Sequence, residues 1–127
     1  MIRSILKTDG QLSVVPDLPQ PGQDRHVLWL EINAPTAEES AAVRERFGVD
    51  TQPHTANVID DGNFLYLRSQ LVSLRSSGTF YFGLVTFVLG ERIVATLCDD
   101  PDFHPFGPAL QRCGRKPSCC TTARRTR

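Results

Sequence analysis

Three carboxylates crowd the stretch Asp99-Asp100-Pro101-Asp102, directly after an apolar run. Oxygen ligands at that density suit a hard divalent cation, and these three acids are the metal candidates of the chain. Three acids around a proline also make an ordinary strand terminus, and that simpler account is favoured. His26, His54 and His104 are scattered, one in a strand-like stretch and two beside prolines. No serine or cysteine elbow and no glycine-rich phosphate loop accompanies them, so an enzyme reading has no constellation to stand on. Asp61-Gly62-Asn63-Phe64 lacks the liganding carboxylates of an EF-hand and reads as a turn. Glu38, Glu39 and Glu45 fall on one predicted helix, where a solvated face explains them better than a metal does.

Cys98 sits at the end of a predicted strand and reads as a buried apolar filler. Cys113, Cys119 and Cys120 follow the pattern C-x5-C-C, which lacks the paired C-x-x-C of a zinc site. No secretory signal precedes them to favour disulfides. Charge is divided sharply along the chain. All 14 acids lie between Asp9 and Asp102, and with eight basic residues they leave residues 1–109 at −6. Residues 110–127 carry six basic residues and no acid. An acidic body does not favour nucleic acid, whose phosphates need a positive surface. The longest nearly apolar stretch, Phe80 to Gly90, is far below the roughly 20 residues that span a bilayer, so no membrane insertion by this chain is expected.

The elements that must position these residues are legible. MIRSILK (1–7) and QLSVV (11–15) read as strands around an Asp9-Gly10 turn. Three prolines and a glycine make 16–25 a loop. HVLWLEIN (26–33) returns to strand, with Leu28, Leu30 and Ile32 forming its wholly apolar face. A helix over 37–47 starts at a capping box, Thr36 with Glu39, and stops at Gly48. Val43 and Phe47 share its apolar side. Residues 51–62 show no period and read as a connector. NFLYLRSQLVSL (63–74) alternates as a strand, TFYFGLVTFVL (79–89) is apolar on both faces, and RIVATLC (92–98) pairs with it through a glycine-first Gly90-Glu91 turn. Beyond Leu110 periodicity disappears, and residues 111–127 read as a disordered basic tail.

Four of these stretches, in order, resemble the N-terminal cytoplasmic domain of CorA-type magnesium and divalent-cation transporters. They are MIRSILKTDGQL, WLEINAPTAEESAAVRERFGVD, DGNFLYLRSQLVSL and VTFVLGERIVATLCDDPDFHPF. The resemblance covers about residues 1–111 without the connector. It implies an α/β (α+β) domain over 1–110, a mixed sheet flanked by helices, forming the wall of a cytoplasmic funnel in a homopentamer. It implies no catalysis and no required cofactor, with Mg2+ as a weak regulatory ligand shared between acidic side chains. The implied partners are a second copy or an intact CorA-like homologue, and the implied location is cytoplasmic, beneath the cell membrane of the intact family. The alternative is an independent small α/β adaptor or ligand-binding module that merely shares the hairpin.

Departures from the family matter as much. TQPHTANVI is shorter and nearly uncharged where the family continues with an acidic helix, so its sensor acids have no counterpart here. The stalk helix, both membrane helices and the Gly-Met-Asn pore motif are also missing from the sequence, and the Arg-, Cys- and Thr-rich tail suggests an out-of-frame end. The expectation is a truncated product that does not transport ions alone. Translating the downstream DNA in the other two frames should then uncover a stalk or membrane-helix pattern, and its absence would count heavily against a frameshift.

Overall fold

The computed structural model describes residues 1–52, 56–74 and 77–114. Seven strands form one mixed sheet: β1 (Ile2–Thr8), β2 (Gln11–Pro16), β3 (Val27–Asn33), β4 (Val58–Asp60), β5 (Leu65–Leu74), β6 (Phe80–Leu89) and β7 (Val94–Cys98). Their spatial order is β2-β1-β3-β7-β6-β5-β4. All neighbours are antiparallel except β3 and β7, which run parallel from Trp29↔Val94 to Asn33↔Cys98. Two helices complete the α+β fold, α1 (Ala37–Phe47) and α2 (Gly107–Cys113).

Local chemistry explains most boundaries. Asp9 and Gly10 both take positive φ, 52° and 79°, as the tight β1–β2 turn requires. Thr36 Oγ accepts the Glu39 amide at 3.1 Å and Glu39 Oε1 accepts the Thr36 amide at 2.9 Å, completing the expected capping box. Gly48 ends α1 in the left-handed conformation, φ 75°. Pro108 stands in the first turn of α2, where its missing amide costs nothing. The helix thus takes in Gln111, Arg112 and Cys113, beyond the boundary drawn at 110; residues 115–127 of the expected tail lie outside the described residues.

Three expectations are corrected. The β6–β7 connection is a four-residue loop, Gly90 to Ile93, closed by the Gly90 amide donating to the Ile93 carbonyl at 2.9 Å. Gly90 does not take positive φ there; a Cβ would lie 2.6 Å from the Phe64 ring, so close approach, not turn conformation, explains the glycine. In β3 the register against β1 shifts between Ile5 and Leu6, so that Leu6 meets Val27 and Leu28 drops out of the pairing. Val27 joins Leu30 and Ile32 in the core, and Leu28 is left 41% exposed. Finally, the connector contains β4, an edge strand too short and too exposed to show a period.

The sheet has two differently covered faces. On one, α1 packs Val43 and Phe47 against Ile2, Leu6, Leu30, Ile32, Val88, Ala95 and Leu97. On the other, the chain leaving β7 folds back: Phe103 and Phe106 pack on Val85, Cys98, Tyr81 and Phe87. Phe106 stands edge-on to both Trp29 and Phe87, with centroids 5.5 and 6.1 Å away. Polar pairs cross this second face. Arg3 donates to the buried Glu31 carboxylate at 2.9 Å, the Trp29 indole donates to Thr96 Oγ1 at 3.0 Å, and the Asn33 amide donates to the Phe103 carbonyl at 2.9 Å.

Gly83 marks where this cover sits tightest, because a Cβ there would lie 2.4 Å from the Phe103 ring. Gly83→Ala must displace that ring, and is expected to cost about 1–3 kcal/mol in a urea titration followed by Trp29 fluorescence. Gly107→Ala, with nothing within 4 Å, should be neutral or slightly stabilising. Equal midpoints for the two variants would contradict this packing.

Candidate functional site

The three candidate acids follow β7, and the strand's alternation parts them. Asp99 continues the side of Ala95 and Leu97, facing the α1 layer, and helps line a small cavity of about 60 Å3 there. Asp100 turns to local work: its Oδ1 accepts the Asp102 amide at 2.9 Å, and its carbonyl accepts the Phe103 amide at 3.2 Å. Asp102 is exposed on the turn. Among the described residues no three His, Cys, Asp or Glu side chains are grouped to hold a metal. The three acids stand at the exit of β7, and Asp99 lines the cavity.

The other titratable groups are likewise committed to structure. Asp61 Oδ1 accepts the Asn63 and Phe64 amides at 2.9 and 2.7 Å, which holds its carboxyl below the usual range. Asp60 Oδ1 accepts the Gly62 amide at 2.9 Å, so this stretch is a carboxylate-braced turn. Tyr66 is buried, its hydroxyl accepting the Asp50 amide at 3.0 Å, and burial pushes its pKa up. Cys98 is buried as expected, and burial raises its thiol too. His104 stands 3.4 Å from the Asn33 amide; His26 ends a single 3-10 turn, Asp24–His26; His54 lies outside the described residues. Glu38 and Glu45 are exposed on α1.

Residues from the connector and the hairpin complete the cavity beside Asp99. Arg68 and Thr86 face each other across β5 and β6, with Leu84 and Leu97 as its apolar floor. Thr51 and Gln52 close the rim and are shared with an open groove of about 420 Å3 along α1, where Ser40, Arg44 and Asp50 stand. A space of 60 Å3 has room for about two waters or a hydrated ion's edge, not for an organic substrate. One cation, one carboxylate and two hydroxyls make a hydrogen-bonding spot on an apolar face. Sequence reading missed it because Arg68 and Thr86 sit eighteen places apart and meet only through hairpin register. The alternation of LYLRSQLVSL was the available signal, since it put Arg68 and Gln70 on the same side as the buried Tyr66.

No family model and no curated protein sequence matches the chain. Among solved structures, the soluble domain of CorA from Methanocaldococcus jannaschii is similar, with TM-score 0.60 and 11% sequence identity. The likeness covers 92% of this chain and 48% of that one, so the chain spans about half the length of that domain. The fold class is thereby that of a CorA soluble domain, a mixed sheet with helices. Among the described residues no helix is long and apolar enough to cross a membrane.

Glu39 generates a pH test. The Thr36 amide is the main cause, and the nearby Met1 ammonium a further one, of a carboxyl held below its ordinary 4.5. A depressed folded-state pKa means that its stabilisation is present above the unfolded value and lost as pH falls through the folded one. Urea midpoints measured downward from about pH 4.5 should therefore fall less steeply in Glu39→Gln than in the parent chain. Parallel acid limbs would contradict the assignment.

Proposed function

We propose that this chain is a regulatory domain of CorA type, non-enzymatic, which responds to divalent cations by associating with copies of itself or with a CorA-like homologue. The observation that carries this reading is the superposition of 92% of the chain on the soluble domain of CorA. Charge adds support: the body, residues 1–109, stands at −6, and a cation between the acids of neighbouring bodies lessens their repulsion. The cation enters as a weak ligand of exposed acids between subunits, with Asp99, Asp100 and Asp102 as the candidates. This use differs from a closed metal centre within one chain. Conduction is no part of the proposal, and the domain would act at the cytoplasmic side of a membrane.

Sedimentation velocity with and without millimolar magnesium tests this. A rise in mass with magnesium that reverses in chelator is expected, and Asp99→Asn/Asp100→Asn/Asp102→Asn should abolish the rise. Asn at 100 keeps an acceptor oxygen for the Asp102 amide, so the turn survives the change. A mass indifferent to magnesium would favour an independent adaptor module and sink the cation reading.

A further inference from the structure

The β5–β6 hairpin extends beyond the cover that α1 supplies. On its α1-side face Val72, Phe80, Phe82 and Leu84 are 53, 68, 59 and 50% exposed. Side chains of that size amount to a few hundred Å2 of contiguous apolar surface, which soluble monomers seldom leave open. β4 pairs with β5 only from Leu65 to Leu67, and the Arg68 amide donates to the Asn57 carbonyl. Among the described residues no strand lies outside Ser69–Leu74.

Backbone alternation says which groups are open. The Arg68 amide points outward to Asn57, so the amides and carbonyls of Gln70, Val72 and Leu74 point outward as well. Exposed edges are ordinarily blunted by charge, proline or a bulge. Ser69-Gln70-Leu71-Val72-Ser73-Leu74 contains neither charge nor proline, and its pairing with β6 is regular throughout.

We propose that β5 is a homodimer edge: two copies pair β5 against β5 antiparallel, about a two-fold axis through Val72. A register centred on Val72 sets Gln70 opposite Leu74 of the second copy and keeps each sheet face on its own side. About six inter-chain hydrogen bonds then satisfy the outward groups of the two edges. Val72 meets Phe82 across β5 and β6 within each copy, so the pairing makes an unbroken apolar row, Phe82, Val72, Val72, Phe82, across the joint. The chemistry selects a second copy because an uncharged edge places no like charges opposite one another when it meets itself. The contact needs no metal, which separates it from magnesium-linked association.

The test is sedimentation velocity of the full chain in chelator at rising concentration, with Gln70→Pro and Val72→Lys. Gln70→Pro removes an outward amide and leaves the β6 ladder intact. Val72→Lys sets two cations on the axis at a position already exposed. A monomer–dimer equilibrium weakened roughly tenfold or more by each variant, with circular dichroism unchanged, is expected. A parent chain that stays monomeric in chelator, or associates only with magnesium, overturns the proposal. So does a dimer lost in Val72→Lys but untouched by Gln70→Pro, which would mean stacking of the apolar faces instead.

Discussion

The sheet depends on the five-residue parallel ladder between β3 and β7. To one side lies the antiparallel group β2-β1-β3, to the other the meander β7-β6-β5-β4, and among the described residues no other strand pair joins them. The core beneath α1 belongs to neither group alone. Leu30 and Ile32 come from the first, Val88, Ala95 and Leu97 from the second, and α1 closes over both. Parallel pairing demands a long connection, and the chain between β3 and β7 supplies it as α1 and three further strands. The polar contacts gather at the same seam: Trp29 to Thr96 across the ladder, and Asn33 to the segment beyond β7. The Trp29 indole and the Asn33 amide thus both have partners, so the seam is specified as well as apolar.

That arrangement gives the stretch after β7 two roles that compete for the same residues. Phe103 and Phe106 must lie down on the second face, and the turn which brings them there uses one Asp100 oxygen as acceptor of the Asp102 amide. Asp99 and Asp102 stay exposed on either side of it. Acids left at the surface can still meet a cation between molecules, where geometry is set by packing of subunits. The same logic explains the exposed end of the hairpin: one helix of eleven residues covers only part of a face that two ten-residue strands present.

Much of the fold was legible because its signals are local. Thr36, Glu39 and Gly48 bound α1 through contacts three or four residues long, and the Asp9-Gly10 turn is set by backbone conformation alone. What escaped depends on distant partners. Gly90 looked like a turn glycine but yields to Phe64, and Leu28 looked like core until the bulge shifted Val27 into its place. Of the candidate site, the acids were visible as residue types, whereas Arg68, Thr86 and Asp99 converge only once β5, β6 and β7 are in register. The resemblance read in four short stretches is met by a likeness of fold alone, at 11% identity.

Native-state amide exchange tests the central claim most directly, that the two strand groups are a single cooperative unit joined at β3 and β7. The amides of Leu30 and Ile32 and those of Ala95 and Leu97 should exchange in one slowest class, at the free energy of global unfolding. Two separate classes, with β1–β3 opening independently of β5–β7, would contradict it.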